Sequence, residues 1–468
     1  MDAVTAEDML MFVNAATTST GQHEFHHTAR EQRLSLEFLH EYVAGNYRDL
    51  YAATLAMDIN DHNAALIVRR LLETTSEATP EQRATEGALI ARRLRDLPPQ
   101  RVYDVFRALR RAKVNNRRTR AIIRDWVAAR PDPALDAVKY RAGLKNALRH
   151  AHVVPDAPEV GGFLFARDHR KRYETPLLDA WRRAHYEHTA VYELPYTVAE
   201  GFAAKHGIDR AVFLERIEPR LTRLERLRLQ NTARREKTAV SVDLAALPLT
   251  RLASYVLSLP VAERVDRRGE LTGALRAAAR RVCGRDAGRW GRVAAVLDDS
   301  FSAFGSAVKR RRPLAVALAC HFLFEALADR YVPLWTSGRD DALLTHPLGV
   351  TPLGERVLDA LEHGPDRLLI VSDGWDNAPH GLAAEVLRVW RTKLDPDRRV
   401  GVVHLNPVYD VADFDVKRLS PLTPTLGVRD AEDVPALVEF ARFTEGRTGL
   451  PELHAHFATR TARYLEDA

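Results

Sequence analysis

Asp298, Ser300 and Ser302 stand two residues apart in Asp298-Asp299-Ser300-Phe301-Ser302. In an extended turn that spacing brings one carboxylate and two hydroxyls to the same side, the oxygen donors a hard divalent cation takes. A second carboxylate, Asp373, closes Ser372-Asp373-Gly374, and a third hydroxyl, Thr351, stands in Gly349-Val350-Thr351-Pro352. Two carboxylates and three hydroxyls leave a bound cation open positions for water or a partner's carboxylate. The chemistry expected of such a site is binding, with no catalytic residue assigned.

Each donor follows an element suited to present it. Val293-Ala294-Ala295-Val296-Leu297 and Arg367-Leu368-Leu369-Ile370-Val371 are short apolar runs, as strands of a parallel sheet covered on both faces require. Their carboxyl ends open on the crevice where doubly wound sheets bind ligands. Gly374 lets the chain turn away after the second run, and Thr351 precedes a proline suited to a helix start. In order and spacing, Asp298, Ser300, Ser302, Thr351 and Asp373 resemble the metal-ion-dependent adhesion site (MIDAS) of the von Willebrand factor A (vWA) domain, D-x-S-x-S, then Thr, then Asp. Ala303 stands where that family often has Met, and Ser372 where it commonly has Thr; neither removes a donor. The resemblance implies a doubly wound, Rossmann-like vWA domain over residues 286–468, holding one Mg²⁺, with Mn²⁺ or Ca²⁺ as alternatives.

The rest of that region alternates as a parallel sheet needs: strands at 331–335, 400–405 and 425–428, and helices at 303–327, 353–361, 382–392 and 434–443. A last helix over 450–465 is expected to pack back on the front of the chain. Residues 1–285 read as helical throughout, with apolar stripes at 36–43, 64–72, 81–94, 101–112 and 117–129 and prolines or short loops between them. Each stripe needs a neighbour to bury it, so an all-α, HEAT-like helical repeat domain is expected at 1–285, ahead of a glycine-rich boundary.

A chain of 468 residues with 46% hydrophobic and 28% charged residues is expected to form two or more ordinary globular domains. Its first residues lack the basic start and apolar run of a signal peptide and no stretch approaches a membrane span, so the expectation is cytoplasmic with no membrane partner. Cys283 and Cys320 exclude a disulfide framework and a cysteine zinc site, and read as reduced, packed thiols. No Walker loop, dinucleotide fingerprint or nucleophile elbow occurs.

Charge is uneven. Residues 1–290 hold 48 Lys and Arg against 37 Asp and Glu, net +11, and 291–468 hold 21 against 26, net −5. Cations gather at Arg107, Arg110, Arg111, Lys113, Arg117, Arg118, Arg120 and Arg124 around Asn115 and Asn116, a phosphate-binding face with amides for base edges or sugars. A second cluster, Arg167, His169, Arg170, Lys171, Arg172 and Tyr173 with Trp181-Arg182-Arg183, sets aromatics beside cations, as stacking of unpaired bases requires. His23, His26 and His27 with Glu24 invite a metal reading, but no second ligand cluster is near in sequence; a polar loop before a helix at Thr28 is expected. His150 and His152 would share one side of a strand and are expected in capping or core roles.

The basic helical front joined to an A-type domain resembles the Ro autoantigen, or TROVE, family of RNA-binding proteins. The segments are Arg110-Arg111-Ala112-Lys113-Val114-Asn115-Asn116-Arg117-Arg118, Lys139-Tyr140-Arg141, Leu144-Lys145 and Leu148-Arg149-His150-Ala151-His152. The resemblance implies a non-catalytic ribonucleoprotein component: a helical ring closed by the A domain, binding small non-coding or misfolded RNA, with single-stranded ends in the hole. The alternative is a protein-binding adaptor, for a MoxR-type AAA+ ATPase or a bacterial conflict system, in which a partner's carboxylate completes the metal site.

Overall fold

The structure, a computed structural model, describes residues 2–155, 157–166, 172–236, 238, 243–438 and 450–466. By its internal contacts the chain divides into two units, one made of 1–67 with 244–468 and one made of 68–243.

The first unit is built on five parallel strands in the order β2-β1-β3-β4-β7: β1 Arg292–Leu297, β2 Arg330–Trp335, β3 Arg367–Val371, β4 Gly401–Asn406 and β7 Thr425–Gly427. A short antiparallel pair, β5 Tyr409–Asp410 and β6 Asp415–Val416, lies between β4 and β7 in sequence. Period-two alternation divides the inner strands between two helical layers. Ala294, Val296, Leu368, Ile370 and Val402 pack with Leu353, Val357, Ala360, Ala383 and Leu387 of the Leu353–Glu362 and Leu382–Val389 helices. The other layer is the Arg312–Leu327 helix, set against β1, β2 and β3 and against the Leu249–Ser258 and Arg268–Cys283 helices. Covered on both sides, it is apolar almost all round, and Cys320 is one of its buried residues. Cys283 and Cys320 are free and buried, as expected.

The N-terminal helix, Asp2–Thr18, closes the sheet's β7 edge. Gly427 N–H donates to Asn14 Oδ1 at 2.7 Å, and Asn14 Nδ2 donates to Asp415 Oδ1 at 2.9 Å. A Cβ on Gly427 would stand 2.8 Å from the Asn14 carbonyl, so only glycine allows the approach. An exposed strand edge is thereby covered by a helix from the far end of the sequence. The Leu450–Glu466 helix packs on the same N-terminal helices with Leu453 and Phe457 buried, as expected of the tail.

The second unit is all-helical over its described residues. Within it the Pro99–Arg111 and Arg117–Ala128 helices both pack on Arg141–Ala151. Gly143 lets Tyr103 approach so closely that a Cβ would stand 2.7 Å from it. The Tyr103 hydroxyl donates to the buried Asp136, whose two oxygens also take Arg130 Nε and a second guanidinium nitrogen at 2.6 and 3.0 Å.

The five strands fall where the sequence placed them, within a residue or two. Three expectations differ. The division is not at 285: residues 1–67 and 244–285 belong with the sheet, because their apolar faces meet the Arg312–Leu327 helix and the β7 edge. The helix expected from 303 begins at Arg312, after a turn in which Gly305 and Arg311 both take positive φ. The segment holding His150 and His152 is helical, with His152 as its left-handed C-cap. The helix expected over 434–443 is described only to 438; the remainder lies outside the described residues. Among the described residues no helix is long and apolar enough to cross a membrane.

Candidate metal centre and basic face

In the order β2-β1-β3-β4-β7 the chain turns from one side of β1 to the other, so the sheet opens a crevice at the carboxyl ends of β1 and β3. Asp298 directly follows β1, and its N–H donates to Val371 O of β3 at 2.9 Å. Asp373 follows β3 by two residues, and Gly374 turns the chain with φ +82° where a Cβ would stand 2.6 Å from Lys417 O. The third loop is tied to the first two. Phe301 N–H donates to Gly349 O at 3.1 Å, Leu348 N–H to Asp299 O at 3.0 Å, and Thr351 N–H to Asn377 Oδ1 at 2.9 Å. The three loops that carry the five expected donors are therefore one hydrogen-bonded assembly.

Asp298 Oδ1 accepts Ser300 N–H at 2.8 Å, and the Ser300 and Ser302 hydroxyls are 3.3 Å apart. Asp373 Oδ1 accepts Trp375 N–H at 3.1 Å. Asp298, Ser300, Thr351 and Asp373 are buried and Ser302 half-buried. Asp298 Oδ1 also lies 3.4 Å from the Thr336 hydroxyl that donates towards it, and Asp298 and Thr351 are each at least 96% buried. Burial, and next the neighbouring Asp373 carboxylate, push the Asp298 carboxyl upward. Two buried carboxylates side by side, with hydroxyls beside them, fit a cation, which would offset both the burial and the repulsion. Asp298, Ser300, Ser302, Thr351 and Asp373 would hold it. Among the described residues no group of three or more His, Cys, Asp or Glu side chains that could hold a metal ion occurs.

Neighbouring residues that the sequence did not single out fix the assembly. Asp299, fully buried, accepts from the Thr336 hydroxyl, Ser337 N–H and the Ser337 hydroxyl at 2.9, 2.9 and 2.7 Å, joining the ends of β1 and β2. Asn377 positions Thr351. Trp375 takes Lys417 Nζ over its indole at 4.1 Å and the His26 imidazole at 4.7 Å.

His26 brings in the N-terminal histidine loop. As expected, Thr28 caps the Ala29–Asn46 helix in a reciprocal box with Glu31. The loop before it is fastened to the sheet unit: Glu24 pairs with Lys309, the Ser306 hydroxyl donates to His23 O at 2.6 Å, and His27 Nε2 lies 3.3 Å from Asp410. These anchors set His26 Nε2 3.6 Å from Asp373 Oδ2. Phe25 meets Phe301 edge-on at 5.9 Å beside it.

In the second unit the first basic cluster lies where the Pro99–Arg111 helix ends and the Arg117–Ala128 helix begins. Arg111, Lys113 and Arg117 are exposed with no acidic partner among the described residues, and Arg110 is exposed and donates to Asn146 Oδ1 at 2.6 Å. Others of the set are engaged in the fold. Arg107 pairs with Asp104 at 2.9 Å, Arg118 with the buried Glu86 at 3.0 Å, and Arg120 is half-buried. Arg124 is exposed and pairs with Asp125 at 2.9 Å. Asn115 is exposed, whereas Asn116 caps the helix, its Oδ1 accepting Thr119 N–H at 2.9 Å. His150 is buried and bonds Val114 O at 2.9 Å, a core role.

Arg167, His169, Arg170 and Lys171 of the second basic cluster lie outside the described residues; Arg172 is exposed. Its aromatics are not free to stack on bases. Trp181 packs edge-on against Phe163 at 4.9 Å under the Arg141 guanidinium, Tyr173 is buried against Phe163, and Arg182 and Arg183 share Asp179.

No protein-family model matches the chain, and no curated protein matches it.

Proposed function

We propose that this protein is a non-catalytic RNA-binding protein of the TROVE kind, with a vWA-type unit whose MIDAS-like centre holds a divalent metal, Mg²⁺ foremost, and a helical, HEAT-like unit that carries RNA. The observation that carries the RNA reading is how charge divides between the structural units. Residues 68–243 hold 36 Lys and Arg against 23 Asp and Glu, net +13, and the remainder holds 33 against 40, net −7. The contrast is sharper than the division by sequence halves. Cations concentrated on one unit supply the sequence-independent attraction for a polyphosphate, and the acidic unit repels the same ligand.

The test is binding of small structured and single-stranded RNAs by the full chain as salt is raised. Neutralised phosphates release counterions, so the log-log slope should be steep, and replacing Arg111, Lys113 or Arg117 with Ala should make it shallower by about 0.7 to 0.9 for each contact removed. Binding absent at low salt, or unchanged in the triple variant, would refute the RNA reading.

One observation favours the second reading, a protein-binding adaptor. Phe301, Val308, Leu348 and Val350 are large apolar side chains more than half exposed, and all lie in or beside the loops that carry the metal donors. Apolar groups around an open coordination position suit a protein partner that offers a carboxylate. Failure of RNA binding together with metal-dependent capture of an acidic peptide at this rim would select it.

A further inference from the structure

Three features outside the five donors converge on one point. The histidine loop, Gln22–His27, comes from the N-terminal segment and is pinned by the buried Glu24–Lys309 pair, by Ser306 on His23 O and by the Thr28 cap. Its His26 imidazole lies against the Trp375 indole, and its Nε2 is 3.6 Å from Asp373 Oδ2. Asp373 Oδ1 accepts one backbone N–H, and Oδ2, which accepts none among the described residues, is the oxygen that His26 faces.

We propose that His26 is a ligand of the metal centre: the chain supplies its own nitrogen donor, and the site takes a borderline divalent cation of the Co²⁺ or Zn²⁺ class in preference to Mg²⁺. The proposal rests on the metal-site reading above and replaces Mg²⁺ as its foremost ion. At metal–ligand distances of about 2.1 Å, adjacent ligands of an octahedral ion are roughly 3 Å apart, so Nε2 needs to close by only about 0.6 Å. Five oxygen donors alone suit hard ions, and an imidazole adds little for Mg²⁺, which keeps its waters. For Co²⁺ or Zn²⁺ the same nitrogen is a favoured ligand. The tilted contact with Trp375 and the anchors on either side fix the ring before an ion arrives, as outer contacts do for metal-bound histidines. The position a partner's carboxylate would take is then filled from within the chain.

The experiment is calorimetric titration of the full chain with Mg²⁺ and Co²⁺, with pulsed EPR of the Mn²⁺-loaded protein to detect a directly bonded ¹⁴N. Wild type, His26→Ala, His26→Gln and Asp298→Ala are compared. The expected result is Co²⁺ binding weakened roughly 10- to 100-fold in both His26 variants, Mg²⁺ binding changed by less than about threefold, and the ¹⁴N signal lost. Equal Co²⁺ affinity in wild type and His26→Ala, or no ¹⁴N signal in wild type, overturns the proposal while leaving the oxygen site standing. No divalent binding in wild type, or undiminished binding in Asp298→Ala, removes the metal-site reading and this proposal with it.

Discussion

Asp298 and Asp373 are buried together at the ends of β1 and β3, an arrangement that costs stability and that a cation bound between them would offset. Asp298→Asn is therefore expected to raise the thermal midpoint of the metal-free protein by a few degrees and to abolish the further rise that divalent cation gives wild type. Differential scanning calorimetry with EDTA and with excess cation checks both halves. A second residue sets an acid limit. His404 lies wholly inside the sheet, and burial pushes its imidazole down to about 4 from the ordinary 6.5. Between those values the unfolded chain binds a proton that the folded chain does not. The stabilisation is thus complete above about pH 6.5 and is lost as pH falls towards 4, by about 3 kcal/mol in all. Urea unfolding of wild type and His404→Asn at several pH values measures it; the acid-side slope should flatten in the variant, and equal slopes would exclude His404 as its source.

At the scale of elements, the Asn14 side chain joins the Asp2–Thr18 helix to β7 and to β6 through two buried hydrogen bonds. Asn14→Ala leaves the Gly427 N–H and Asp415 without those partners and is expected to cost about 2–4 kcal/mol, read as a lower urea midpoint at unchanged slope. Thr28→Ala removes one half of a capping box and should cost about 1 kcal/mol while freeing the histidine loop beside Asp373. These elements also mark what the sequence disclosed. The strands were legible because a parallel strand buried on both faces is an uninterrupted apolar run, as at 293–297 and 367–371. The placing of Asp298 and Asp373 at the sheet's carboxyl end was legible because each follows such a run. The place of His26 was not, because nothing local in His23-Glu24-Phe25-His26-His27 says that its neighbour is Asp373, far away in sequence. The same blindness hid Asn14, and it made Trp181 read as a stacking surface when its ring is packed on Phe163. Asn116 misled differently, since an amide suited to a base edge is equally suited to cap a helix.

For the whole molecule, the sheet unit is discontinuous in sequence and the basic helical unit is one contiguous stretch, 68–243. A fragment ending at 285 keeps the helices that cover the sheet but not the sheet, so it is expected to expose apolar faces and aggregate. The 68–243 stretch has its own buried centre around Tyr103, Asp136 and Trp126 and is expected to remain soluble with a cooperative urea transition. Size-exclusion chromatography and circular dichroism of the two fragments decide this, and a soluble, cooperative 1–285 fragment would contradict it. The Asn14–Gly427 bond, spanning 413 residues, also carries a consequence for biosynthesis. At about 5–20 residues per second, the N-terminal helix waits roughly 20–80 s on the ribosome before the strand it covers has been made. During that interval the whole basic stretch emerges and is free to fold and to meet a polyanion, while the first 67 residues still lack their sheet.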